Sequence, residues 1–287
     1  MISGGRAVIP AQPICFDRDR EGDGTKEWAP YSYNIGVGCS HNCRYCYARH
    51  NAVSRFHTVK SVADWEREKI RYGIRKIPAV KKNDVIMTPT THDITPFYLS
   101  EFIIGARGLL EAGNALLVVS KPHLDCVQQV CAHLDRWRQQ IMFRFTIGTT
   151  DERVAHFWEP GAPAIAERLA CLKYAYDHGW RTSVSAEPLL GGYDNALYVV
   201  AACEPFVTDT IWFGRMNLIR QRVDHRDRDV LVRIQEIERL QRDSEMLRLY
   251  DSLRDNPMIR WKASISRLVE KLEGGKKSQT GGKHSEA

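Results

Sequence analysis

The sequence predicts an α/β chain: a parallel sheet built from six strand–helix units, followed by a helical extension. Three observations predict it. Between about Tyr31 and Asn217, short β-branched runs alternate with longer helical patterns, the rhythm of repeated strand–helix units. Several of the strand runs are apolar at consecutive positions, as strands buried on both faces require. The segments between them carry an apolar stripe at helical spacing and end on glycine.

Taken in order, the strand candidates are YSYNIGVG (31–38), DVIMTPTT (84–91), ALLVVSK (115–121), IMFRFTIG (141–148), RTSVSAEPL (181–189) and DTIWFGRMN (209–217). After the second strand, Phe97, Leu99, Phe102, Ile103, Ala106, Leu109 and Leu110 follow helical spacing. Thr95 is the expected N-cap, Pro96 the first helical position and Gly113 the stop. PAIAERLACLKYAYDHG repeats the pattern and closes on Gly179. Beyond Asn217 the stretch HRDRDVLVRIQEIERLQRDSEMLRLYDSL reads as one amphipathic helix, with Val230, Ile234, Ile237, Leu240 and Leu247 on its apolar face. Its Arg and Glu faces are expected to be solvated, the alternative being a phosphate contact for the Arg-rich side. The expected parts are an N-terminal extension (1–30), the strand–helix core (31–217), a C-terminal helical region (218–272) and a disordered basic tail (273–287), too rich in Gly, Ser and Lys to bury itself.

Composition narrows the function classes. With 287 residues, 43% of them hydrophobic and 26% charged, the chain is neither disordered nor fibrous. Its longest uninterrupted apolar run, Ala196 to Cys203, is far short of the roughly 18 to 20 residues that cross a bilayer. The opening MISGGRAVIP lacks a basic stretch followed by a long apolar core, so no membrane association and a cytoplasmic location are expected. A net charge of +6, from 41 Lys and Arg against 35 Asp and Glu, permits a nucleic-acid partner without selecting one.

Of the eight cysteines, Cys15, Cys126, Cys131, Cys171 and Cys203 are scattered, and are expected to be buried small hydrophobes. The other three, Cys39, Cys43 and Cys46, share one loop, GVGCSHNCRYCYARH, where Gly36 and Gly38 leave the backbone free to wrap. Thiols spaced this closely can converge on one metal centre. Structural zinc would need a fourth ligand, for which His41, His50 and His57 are at hand; a [4Fe–4S] cluster on three thiols leaves one iron open. Spacing alone does not choose between them.

At GCSHNCRYCYA the chain resembles the radical S-adenosylmethionine superfamily, whose signature is C-x3-C-x2-C with an aromatic residue beside the last cysteine, here Tyr45 and Tyr47. The resemblance implies a partial (β/α)6 TIM-like barrel, a [4Fe–4S] cluster on Cys39, Cys43 and Cys46, and S-adenosylmethionine as cofactor. It also implies an electron donor such as flavodoxin or ferredoxin. Over roughly Tyr31 to Leu190 the chain is similar to the spore photoproduct lyase branch, through that motif, THDITP, VVSKPH, FRFTIG, FWEPG and AEPL. That similarity carries the S-adenosylmethionine contacts to Tyr47, His92, Lys121, Thr146 and Glu187; the branch has Ser, Ser and Ala in place of His92, Thr146 and Glu187. It also implies a radical relay through Tyr45 and Tyr47. Positions at the carboxyl ends of strands are where such folds put their ligands. Read without the resemblance, a strand-end Lys121 can be merely solvated, His92 a local cap and Glu187 the partner of an Arg.

One departure is chemical. The lyase branch returns a hydrogen atom from a cysteine, and that position is Thr90 here. Its C-terminal DNA-contacting segment has no counterpart after Asn217 either, so repair of the spore lesion is not expected. The reading from the sequence is a radical S-adenosylmethionine enzyme similar in its barrel to the lyase branch, its substrate left open with nucleic acid as the first candidate. The rivals are a radical enzyme acting on a peptide or small molecule, and a zinc-containing nucleic-acid-binding protein.

Overall fold

The computed structural model describes residues 14–17, 20, 22–71, 82 and 84–280. The opening MISGGRAVIP and the end of the basic tail (281–287) lie outside them. The strands are β1 (Tyr31–Ser32), β2 (Gly36–Val37), β3 (Lys69–Ile70), β4 (Ile86–Thr88), β5 (Leu116–Ser120), β6 (Ile141–Thr146), β7 (Arg181–Ala186), β8 (Ile211–Phe213) and β9 (Ile259–Trp261). Seven of them form one parallel sheet in the order β1-β4-β5-β6-β7-β8-β9. The edges β1 and β9 are not joined among the described residues, so the barrel is partial.

The helices are α1 (Tyr47–His50), α2 (Val62–Glu66), α3 (Leu99–Glu111), α4 (Leu124–Leu134), α5 (Glu152–Trp158), α6 (Ile165–Asp177), α7 (Tyr193–Cys203), α8 (Ile219–Arg222), α9 (Arg228–Leu240), α10 (Asp243–Leu253) and α11 (Ala263–Thr280). Strand alternation sorts the side chains between two layers. Leu116, Val118, Phe143, Phe145, Val184, Ile211 and Phe213 point outward into the main core under the helices. Met87, Leu117, Met142 and Trp212 point inward and meet Phe16 and Trp28 from the N-terminal segment. Arg144, wholly buried on β6, is held between the rings of Trp28 and Trp212, 4.8 and 5.2 Å from their centroids, and pairs with Asp17. Asp17 also accepts from Thr210 Oγ1 at 2.6 Å and Trp212 Nε1 at 3.3 Å. Phe16, Asp17 and Trp28 of the expected extension therefore form the floor of the barrel, and the cavity lies above them, at the carboxyl ends of the strands.

Several expectations need correction. Segment 31–38 is two strands: β1 joins the main sheet, whereas β2 turns away to pair antiparallel with β3. Helix α3 begins at Leu99, because residues 95–98 form a turn closed by Tyr98 N–H to Thr95 O at 3.0 Å. The Thr95 hydroxyl donates to Glu68 instead of capping, and Phe97 is exposed. The long C-terminal helix is two helices, α9 and α10, broken at Gln241. That side chain is buried and ties three loops, donating to Leu189 O at 2.6 Å and Gly191 O at 3.2 Å and accepting from Met216 N–H at 2.8 Å. Met246 and Leu249 rather than Leu247 carry the buried face of α10. The region 218–272 is not wholly helical: β9 completes the sheet, since the outer edge of β8 otherwise leaves its backbone unpaired. Helix α11, anchored by Ile265 and Val269, runs on to Thr280 through most of the expected tail. Cys126, Cys131, Cys171 and Cys203 are buried as expected; Cys15 is exposed.

Candidate active site

The three-cysteine loop leaves β2 and runs into α1. Gly38 at its start has φ 96°, a conformation that favours glycine, and a Cβ there would lie 2.6 Å from Trp65 O. Cys39 N–H donates to that same carbonyl at 2.9 Å. Cys46 caps α1, its Sγ accepting from Arg49 N–H at 3.4 Å. The Arg49 guanidinium staples the loop from within, reaching Asn42 Oδ1 at 2.7 Å and Arg44 O at 2.6 Å. From outside, residues 157–161 of the FWEPG motif brace it. Arg44 N–H donates to Trp158 O at 2.8 Å, Gly161 N–H to His41 O at 3.0 Å, and the Tyr45 hydroxyl to Glu159, whose other oxygen pairs with Arg168 at 2.5 Å.

Behind the loop, Asp93 gathers polar groups from three directions. It accepts from His41 Nδ1 at 2.8 Å, Lys121 N–H at 2.7 Å and Ser120 Oγ at 3.1 Å, and faces Lys121 Nζ at 3.7 Å. Burial alone would raise its pKa, but Lys121 and His41 hold it well below the carboxylate range. Burial likewise opposes the charge on Lys121, and Asp93 together with Cys43 and Glu159 more than restores it. The second nitrogen of His41 meets His123 Nε2 at 3.0 Å.

Above this framework opens a cavity of about 790 Å³ lined by Cys39, Cys43, Cys46, Tyr45, Tyr47, Thr90, His92, Lys121, Thr146 and Glu187. All the residues singled out in the sequence for cofactor and radical chemistry thus share one space, supplied by the cysteine loop and by the ends of β4, β5, β6 and β7. Their settings differ. Tyr47 donates its hydroxyl to Thr90 O, and Tyr45 is packed with Cys43 and Trp158 in a separate apolar cluster. Lys121 Nζ lies 5.8 Å from the Tyr45 ring centroid. Glu187 is raised by burial, with Lys262 Nζ at 3.9 Å opposing the shift; its nearest cation is a Lys, not the Arg the sequence brought to mind.

His92 lines the cavity, but both its nitrogens are engaged by backbone. Nε2 accepts from Ile35 and Gly36 N–H at 3.2 Å each, and Nδ1 meets Asp93 O at 2.9 Å. It fastens the β1–β2 link to the loop after β4 and has no polar atom left for a cofactor.

Cys39 and Cys43 are buried, and burial pushes the Cys39 thiol up and the Cys43 thiol to about 12. Neutral thiols at one wall of a buried cavity, next to a charged lysine, are a donor set that a cationic iron–sulfur core would convert to bound thiolates. Deep in the same cavity the Ser185 hydroxyl is buried with no hydrogen-bond partner among the described residues. The donors present fit both an iron–sulfur cluster and a polar cofactor beside it.

Sequence reasoning missed Asp93, Glu159, Ser185 and Lys262. The first two stand inside THDITP and FWEPG and are marked there only by their motifs. Ser185 sits in a strand of small residues, and Lys262 follows a strand that the sequence concealed. Lys262 is buried, reaching Gly24 O at 2.5 Å and Glu27 at 3.1 Å.

Residues 33–201, more than half of the chain, match the model of the Radical SAM superfamily. The chain belongs to that superfamily of enzymes. Its members use S-adenosylmethionine and an iron–sulfur cluster and draw on a reductant. A curated relative, the uncharacterized protein ORF301 of Acidianus two-tailed virus, is 29% identical over 174 residues, which are 55% of this chain and 56% of that one. The chain thus spans little more than half the length of the relative it matches. Among solved structures it is similar to a spore photoproduct lyase mutant (TM-score 0.49, 17% identity, 85% of this chain and 79% of that one). It is also similar to SuiB of Streptococcus suis bound to S-adenosylmethionine (TM-score 0.44, 12% identity, 63% and 39%). Among the described residues no helix is long and apolar enough to cross a membrane.

Proposed function

We propose that the protein cleaves S-adenosylmethionine reductively at a [4Fe–4S] cluster held by Cys39, Cys43 and Cys46, and directs the resulting radical at a substrate of nucleic-acid type. The observation that carries this is the meeting, in one cavity, of the three thiols with Tyr47, Lys121, Thr146 and Glu187 from separate strand ends. The bound cluster supplies the electron that breaks the sulfur–C5′ bond and releases methionine and a 5′-deoxyadenosyl radical. The protein's own work is placement. Lys121, kept cationic by Asp93, pairs with the cofactor carboxylate. The Thr146 and Ser185 hydroxyls, neighbours across β6 and β7, donate to its polar edges. His92 is a positioning residue for the loop after β4. The FWEPG brace fixes the cysteine loop, and Trp65 and Met216 help to keep water out. A flavodoxin- or ferredoxin-type protein serves as electron donor.

The motifs shared with the lyase branch support the nucleic-acid substrate, and Thr90 separates this chain from lesion repair. A threonine O–H bond is too strong to return a hydrogen atom, so the substrate radical is quenched from 5′-deoxyadenosine or another group, or is oxidised.

One observation favours a zinc reading: Cys39, His41 and Asp93 present ligand atoms within 4.8 Å of one another. Against it, both His41 nitrogens already have partners. Anaerobic reconstitution decides. Four irons per chain, absorbance near 400 nm and 5′-deoxyadenosine formation after reduction support the proposal, and Cys43→Ala should abolish all three. A colourless protein with one zinc per chain refutes it. Turnover of a peptide pool, with nucleic acid inert, would move the substrate to the rival class.

A further inference from the structure

Among the described residues lining the cavity, the cations are neutralised one by one, with a single exception. Lys121 has Asp93 at 3.7 Å, Lys262 has Glu27 at 3.1 Å, Arg215 has Asp243 at 2.7 Å and Arg267 has Asp23 at 2.8 Å. Arg222, half-buried at the end of α8, lines the same cavity, and its guanidinium makes no hydrogen bond or ion pair with any described residue. A guanidinium withdrawn from water without an anion is costly, and burial lowers its pKa against the attraction of Glu187. Its wall is also unusual at Leu218, just before α8, which holds a left-handed φ of 54° and is exposed at the cavity.

The surrounding sequence is basic. Segment 215–228, RMNLIRQRVDHRDR, carries five Arg and a His against two Asp. Arg220 and Arg226 are paired with Glu238 and Asp224, whereas Arg228, like Arg222, has no ion pair among the described residues. A guanidinium fork matches an oxyanion, and a strip of further cations beside it suits a ligand with repeated negative charge rather than one carboxylate.

We infer that Arg222 is the anchor for a phosphate ester of the substrate, seated at the α8 wall of the cavity, and that it sets the enzyme's preference for a phosphate-bearing chain. The inference rests on the cavity being the place where substrate meets cofactor.

The test uses the full chain, reconstituted anaerobically and loaded with S-adenosylmethionine, and a fluorescent hexathymidylate as probe beside its uncharged methylphosphonate analogue. The native protein should bind the phosphodiester form at least about tenfold more tightly than the analogue. Arg222→Gln should lose most of that preference and flatten the salt dependence by about 0.7 in log–log slope, and Arg222→Lys should restore part of both. Since the Arg222 guanidinium holds no hydrogen-bond or ion-pair partner among the described residues, iron content and melting temperature should not change in either variant. Unchanged affinity and salt slope in Arg222→Gln would overturn the inference. So would a fall in S-adenosylmethionine affinity with the phosphodiester preference intact, which would give Arg222 to the cofactor, or tighter binding of an acidic hexapeptide that Arg222→Gln abolishes. If the chain takes up no cluster yet binds the probe through Arg222, the radical reading fails and the phosphate site stands.

Discussion

Replacing Gly161 by alanine should damage the cysteine loop from a distance. A Cβ on Gly161 would lie 2.2 Å from Ser40 O and about as close as contact allows to His41, at 3.1 and 3.2 Å from its Cα and carbonyl carbon. Ordinary contact needs roughly 1 Å more, so residues 40–41 must move away from 160–161 or the bond from Gly161 N–H to His41 O must break. Overpacking of this kind costs about 1 to 3 kcal/mol and the lost hydrogen bond about 1 more, a total near 2 to 4 kcal/mol. Gly161 is not among the residues with left-handed φ, so the cost comes from contact alone. Because the displaced segment lies between Cys39 and Cys43, the consequence is a loop that no longer presents its thiols together. Urea unfolding of the metal-free protein should show the destabilisation, and iron uptake should fall well below four per chain. A variant with the native urea midpoint and full iron content would refute the claim that the FWEPG segment braces the loop.

Three further outcomes are expected. Asp17 lies below its ordinary value of 3.8 because Arg144, with hydrogen bonds from Thr210 and Trp212, outweighs its burial. A carboxylate with a lowered folded value stabilises above the unfolded pKa and loses that contribution as pH falls through the folded one; the gap in urea midpoint between native protein and Asp17→Asn should be full at pH 7 and close below about pH 4. A gap independent of pH would refute it. At pH 8 a Cys43 thiol pushed to about 12 has roughly one part in ten thousand as thiolate, so iodoacetamide should label exposed Cys15 in the folded metal-free protein long before Cys43. Equal rates would count against the buried setting. Lys121→Ala should weaken S-adenosylmethionine binding roughly ten- to a hundredfold by calorimetry; unchanged affinity would remove Lys121 from the cofactor site.

The core of the fold was readable because each buried strand announces itself twice, by its β-branched run and by the helical stripe after it. β5, β6 and β7 fall inside their expected segments for that reason. What escaped notice is fixed by tertiary demand rather than by local pattern. β9 is three residues long, and only the open edge of β8 makes Ile259–Trp261 a strand. The break between α9 and α10 follows from one Gln241 whose amide is required elsewhere. The floor of the barrel rests on Asp17 and Arg144, 127 positions apart, a pairing with no local signature. At the site, the cysteines were legible from spacing and the strand-end residues only through resemblance. The roles of Asp93 and Glu159 depend on which buried cation or hydroxyl each one meets, which spacing does not record.

Thr90 has a mechanical role in the fold. Its hydroxyl accepts from Asn34 Nδ2 at 2.8 Å, while Asn34 Oδ1 accepts from the N–H groups of Thr90 and Thr91 at 2.7 and 2.9 Å. The Thr90 carbonyl in turn holds the Tyr47 hydroxyl. Asn34 sits between β1 and β2, so this clamp ties the approach to the cysteine loop to the loop after β4. A thiol at residue 90 would be a poor acceptor for Asn34 and would loosen one of these ties. In this chain the site is therefore built around a fixed hydroxyl where the lyase branch needs a mobile hydrogen. On the proposed reading the cysteine loop and the ends of β4 to β7 hold the cofactor, and hydrogen return is served from elsewhere in the cavity. On the same reading the substrate takes the side of β8, where the Arg222 guanidinium has no hydrogen-bond or ion-pair partner among the described residues and Leu218 is exposed.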